Sequence, residues 1–188
     1  NVLLDFCWKD HIARFGFQGE KADRIAQAMM LGPIWPKLDL GLESDEDILE
    51  QFVAHTPELE QEIRLVFSDL STIVREYEGS VDWIESLKAR GYHTYYLSNY
   101  GERIRREASK ELSFLSHMDG GIMSYTVHLA KPDPAIYQTL LDRYGLKAEE
   151  CVFLDDTVRN VEAAQALGIA GIVVTSQEQA KKELETLL

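Results

Sequence analysis

Residues 151–169 read CVFLDDTVRNVEAAQALGI, and the pattern changes three times within them. Cys151 to Leu154 is an apolar run of strand length. Asp155-Asp156 is a pair of adjacent carboxylates. Thr157 to Gly168 has the apolar spacing of a helix, closed by a glycine. A buried strand running straight into a helix is the building unit of a parallel sheet, because parallel neighbours need a crossover and the usual crossover is a helix. The same unit recurs elsewhere: His93 to Leu97, Gly121 to Met123 and Ile169 to Val174 are short apolar runs, each followed by a helical stretch. Residues 79–188 therefore predict an α/β core built on a doubly wound parallel sheet.

Towards the N-terminus the reading becomes helical. Glu20 to Met30 carries Ala22, Ile25, Ala26, Met29 and Met30 at amphipathic spacing, and Gly32-Pro33-Ile34-Trp35-Pro36 interrupts it. Ser44 is placed as an N-cap with Asp47 reaching back to it, ahead of the apolar face of Ile48, Leu49 and Phe52. Thr56-Pro57 opens a further helix with proline in the tolerated first turn. Residues 8–78 thus predict a small all-helical domain inserted into a core formed by residues 1–7 and 79–188. Ser80 to Arg90, ended by Gly91, is the first helix of the resumed core.

The 188 residues suffice for one core with a modest insertion, and the net charge is −13. That balance excludes a nucleic-acid or anionic-membrane surface, both of which need clustered cations. Cys7 and Cys151 have no ligand spacing and suit a reduced protein, and no apolar run approaches membrane-span length. These features predict a cytoplasmic monomer or homodimer.

In open parallel sheets, ligands sit beyond the carboxyl ends of the strands. After Tyr95-Tyr96-Leu97 come Ser98 and Asn99, whose side chains and backbone N–H groups suit a phosphate oxygen; an ordinary helix cap is the plainer alternative. After the next strand comes Lys131, between Ala130 and the Pro132-Asp133-Pro134 turn that holds it at the mouth of a helix. It is either a phosphate-neutralising cation or a solvated lysine. Asp155 and Asp156 repel one another unless a cation lies between them, and Mg2+ is the usual one; a helix cap with an extra acid is the alternative. Asn160, in the first turn of the following helix, is positioned to orient an aspartate. His11, His55, His93, His117 and His128 lack metal-ligand spacing, and Trp8, Trp35 and Trp83 read as packing, with Trp35 also able to line a pocket. Tyr100, Arg103 and Arg105 follow the Ser98 segment without a role of their own.

Taken in chain order, YYLSNYG (Ser98), AKPDPAIY (Lys131) and VFLDDTVRNVEAAQALGI (Asp155, Asp156) resemble motifs two, three and four of the haloacid dehalogenase-like (HAD) hydrolase superfamily. The helical insertion and GLESDED are similar to that superfamily's small cap. The branch resembled holds bacterial sugar-phosphate phosphatases and the amino-terminal phosphatase domain of soluble epoxide hydrolase. The resemblance implies a Rossmannoid core and a Mg2+-dependent phosphomonoesterase acting on a small phosphorylated metabolite. In that reading an aspartate attacks phosphorus, Asp155 and Asp156 hold the metal, and Ser98, Asn99 and Lys131 bind the phosphate. The first motif departs from the pattern: NVLLDF is similar only to its tail, which places the nucleophile about three residues before Asn1. Asp5 is the rival nucleophile, but Phe6-Cys7-Trp8 offers bulk where the phosphate needs a glycine-like approach. The resemblance also admits a dehalogenase, a phosphomutase or a catalytically silent binding protein. Response-regulator receivers share the residue types but carry the acid pair first in the chain.

Overall fold

A three-residue strand, β1 (Leu4–Phe6), opens the chain and leads into five helices: α1 (Trp8–Arg14), α2 (Gly19–Ala28), α3 (Trp35–Leu40), α4 (Asp45–His55) and α5 (Glu60–Phe67). The computed structural model describes all of residues 1–188. Ser44 caps α4 as expected, its hydroxyl accepting the Asp47 N–H at 3.1 Å. Asp47 reaches back by accepting the hydroxyl proton at 2.7 Å, not the Ser44 N–H. Pro57 sits in a 3₁₀ turn that runs directly into α5.

One expectation is corrected here. Residues 8–78 are not helical to their end: Val74–Glu76 form β2, antiparallel to β1, with Asp5 opposite Arg75. Val74 is buried and Arg75 exposed, so one residue packs inward and its neighbour meets water, as a strand requires. The Cys7 N–H to Ile73 carbonyl bond, 2.8 Å, extends the pairing.

Beyond β2 the chain alternates: α6 (Ser80–Ala89), β3 (Tyr95–Ser98), α7 (Glu102–Glu107), β4 (Gly120–Met123), α8 (Pro134–Tyr144), β5 (Val152–Asp155), α9 (Val158–Ala166), β6 (Ala170–Val173) and α10 (Gln177–Leu184). β3 pairs parallel with β4, Leu97 opposite Ile122, and β5 pairs parallel with β6, Leu154 opposite Ile172. Gly121 makes the first pair possible, since a Cβ there would stand 2.2 Å from the Tyr96 carbonyl oxygen. The parallel strands fall where the apolar runs placed them.

The two parallel pairs do not join into one sheet. β3 and β5 share no hydrogen bonds, and both line one cavity of about 840 Å³. Val2, Leu3 and Leu4 reach this cavity, but β1 spends its backbone on β2. The apolar core is divided accordingly. The largest cluster runs through α1–α5 and on to Ile84, Ile104 and Phe114, while Ile136, Tyr137 and Leu141 of α8 pack with Leu97 and Ile122.

Candidate active site

Lys131 bridges the two parallel pairs. Its ammonium donates to the Leu97 carbonyl of β3 at 2.7 Å and to Asp155 Oδ2 of β5 at 2.6 Å, and lies 5.3 Å from the centre of the Phe153 ring. The two side chains are 9% and 5% exposed, so the pair is shielded from water. At such burial the desolvation of each charge is offset only by its partner and by further hydrogen bonds.

Those further bonds are present. The Asn99 side chain clamps the Lys131 backbone from both sides, donating to its carbonyl at 2.9 Å and accepting its N–H at 2.8 Å. Asp133 caps α8 by accepting the Ala135 N–H at 2.9 Å, with Pro134 in the first turn. Asp155 Oδ1 accepts the Thr157 N–H at 2.8 Å and Asn160 Nδ2 at 3.0 Å. The strand-end carboxylate therefore also fixes the turn that leads into the following helix.

Asp156 is placed differently. It is 35% exposed and accepts from the backbone nitrogen and the side-chain amide of Asn1, both at 2.7 Å.

The residues singled out from sequence, Ser98, Asn99, Lys131, Asp155, Asp156 and Asn160, all line the one cavity. Asn160 orients Asp155 as expected. The Asn99 side chain is committed to the Lys131 backbone instead of facing an anion. Asp5 is not among the lining residues; its carboxylate accepts the Cys7 thiol at 3.2 Å. Trp35 both packs, between Phe6 and Phe52, and lines the cavity.

Sequence reasoning missed Asp39, on α3, and gave Tyr100 no role; both line the same cavity. Burial raises the Asp39 carboxyl to about 7, the nearby Lys131 charge opposing the rise. A lone acid in a short helix looks like a surface residue, so only the structure reveals it.

The chain offers a cation two carboxylates at this point, and nowhere do three His, Cys, Asp or Glu side chains converge. That set fits a partly hydrated hard cation, which takes one or two carboxylates and fills its octahedron with water and phosphate. A second observation agrees: Asn160 Oδ1 is buried beside Asp155 with no donor, and a cation-bound water would supply one.

The family model of haloacid dehalogenase-like hydrolases matches residues 14–168, and the chain belongs to that family. It is 32% identical to acyl-CoA dehydrogenase family member 10 of Mus musculus, over 84% of this chain and 15% of that protein. It is 36% identical to bifunctional epoxide hydrolase 2 of Sus scrofa, over 53% and 19%. The chain thus spans less than a fifth of the length of these two relatives. It is 30% identical to the phosphorylated carbohydrates phosphatase of Thermotoga maritima, over 74% and 63%. In fold it is similar to a HAD family enzyme from Bacteroides thetaiotaomicron, with TM-score 0.72, 20% identity, and coverage of 97% and 93%. A complex of that enzyme with magnesium and inorganic phosphate has TM-score 0.67 at 21% identity, covering 91% and 88%.

Proposed function

We propose that the chain acts as a Mg2+-dependent phosphomonoesterase on a small phosphorylated metabolite. The observation that carries this reading is Lys131, a buried cation clamped between the ends of β3 and β5 beside two carboxylates. In this reading residues 8–78 are a cap over a core of residues 1–7 and 79–188. The two free thiols suit a cytoplasmic setting.

Charge explains the cation. Two carboxylates against one lysine leave the strand ends negative, and a phosphate dianion would be repelled. Asp155 and Asp156 would hold Mg2+, which would supply the positive charge that offsets this repulsion. Lys131 and the Ser98 hydroxyl, which makes no protein hydrogen bond, face the phosphoryl oxygens and stabilise charge developing on them. An aspartate carboxylate oxygen bonds to phosphorus as the ester P–O bond breaks, and the departing oxygen takes a proton. Water then attacks the aspartyl-phosphate, releasing inorganic phosphate and restoring the carboxylate.

Asp5 is not assigned that role: it lies outside the cavity and its carboxylate accepts the Cys7 thiol. The test is hydrolysis of p-nitrophenyl phosphate by the intact protein, with magnesium and with excess EDTA, in wild type and Asp5→Asn. Turnover that needs magnesium and survives Asp5→Asn is expected. Chloride release from 2-chloropropionate without phosphate release would overturn the reading in favour of a dehalogenase.

A further inference from the structure

Asn99 directly follows Ser98 and lines the same cavity, yet its side chain is engaged elsewhere. Its amide oxygen accepts the Lys131 N–H at 2.8 Å, and its amide nitrogen donates to the Lys131 carbonyl at 2.9 Å. No other protein group bonds to either of those backbone atoms. An asparagine amide carries a donor and an acceptor side by side, so it pairs with a peptide as a neighbouring strand would. Standing one residue beyond β3, Asn99 adds a rung between that strand and the Lys131 segment.

The rung matters because of where Lys131 lies. Residues 127–133, between β4 and α8, contain neither strand nor helix. The Asp133 N–H to Ala130 carbonyl bond, 2.9 Å, is internal to this segment, and His128 Nδ1 to the Leu40 carbonyl, 2.8 Å, ties its start to α3. From this mount the ammonium returns to the carbonyl of Leu97, two residues before Asn99, and to Asp155. Both ends of the lysine are thus referred to β3, the backbone through Asn99 and the ammonium through Leu97. A lysine stem is flexible, so the position of its charge depends on the position of its backbone. Misplacing a reacting group by about 1 Å can lower a rate by about 100-fold.

We propose that Asn99 is a positioning residue: its side chain does not ligate the phosphate but sets where the Lys131 ammonium meets the phosphoryl oxygens. This deepens the phosphomonoesterase reading and rests on it. Asn99 then acts only through Lys131, a property shared neither by a phosphate ligand nor by a residue that merely supports the fold.

The test is a double-mutant cycle on the intact protein with p-nitrophenyl phosphate and magnesium. Wild type, Asn99→Ala, Lys131→Ala and the double variant are compared, with near-ultraviolet circular dichroism checking that each is folded. Asn99→Ala is expected to lower kcat by roughly tenfold or more, with KM within about threefold of wild type. In the Lys131→Ala background the same change should lower the residual kcat by less than about twofold, because contacts that act through one group are not additive. Equal losses in both backgrounds, a loss carried by KM alone, or an Asn99→Ala kcat within about twofold of wild type would each overturn the proposal. Absence of turnover in wild type would instead remove the phosphatase reading, and the positioning role with it.

Discussion

Lys131 and Asp155 share a cavity with Asp39 and Tyr100, yet the two pairs are built in contrary ways. Around Lys131 and Asp155 the ammonium has two acceptors, the carboxylate has three donors, and the lysine backbone is clamped by Asn99. At Asp39 and Tyr100 only the backbone is tied, and the side-chain groups are left open. The first arrangement suits groups that must not move as charge shifts during reaction, since preorganised dipoles incur no reorganisation at that moment. The second leaves a desolvated carboxyl without a partner, which costs stability once it ionises.

The sharpest way to break this contrast is to remove the cation from the closed network. Lys131→Ala should lower p-nitrophenyl phosphate turnover by roughly 100-fold or more, the usual cost of losing one transition-state donor. It also leaves Asp155 buried without its partner, a change that costs about 3–5 kcal/mol of stability. Turnover is therefore measured at a temperature where near-ultraviolet circular dichroism shows the variant folded. A folded variant within a few-fold of wild type would reduce the lysine to a structural tie.

A smaller effect, of the opposite sign for stability, is expected at the open pair. The native Asp39 carboxyl is raised from 3.8 to about 7, so between those pH values the folded chain keeps a proton that the unfolded chain has released. Stability contributed by that proton is present below about pH 4 and is lost as pH rises towards 7. Asn cannot titrate, so Asp39→Asn should gain on wild type across this window, by up to about 4 kcal/mol at pH 8. For a chain of this length that is on the order of ten degrees in Tm, read by melting at pH 4.5 and pH 8. An equal Tm difference at both pH values would show that the carboxyl is not desolvated.

Much of this was legible in the sequence because it is local. Strands β3 to β6 announce themselves as short apolar runs ahead of helices; Ser98 and Asp155-Asp156 stand at or directly after such runs, and Lys131 stands in the loop that follows another. β2 was hidden because Val74-Arg75-Glu76 is too short to show a period of two within a helical composition. The role of the Asn99 side chain was hidden because its partner lies 32 residues on, and a short amide beside a serine reads equally as an anion ligand. Asp39 was hidden for a similar reason: its backbone is tied to Ser124, 85 residues on, which no helical periodicity around α3 can reveal.

The central claim is that the exposed carboxylate after β5 holds a divalent cation while its buried neighbour is held by lysine. Isothermal titration of the intact protein with MgCl2 tests this most directly, in wild type and in Asp156→Asn. Binding in wild type and a loss of at least tenfold in affinity in the variant is the expected result. Undiminished magnesium affinity in Asp156→Asn would contradict it.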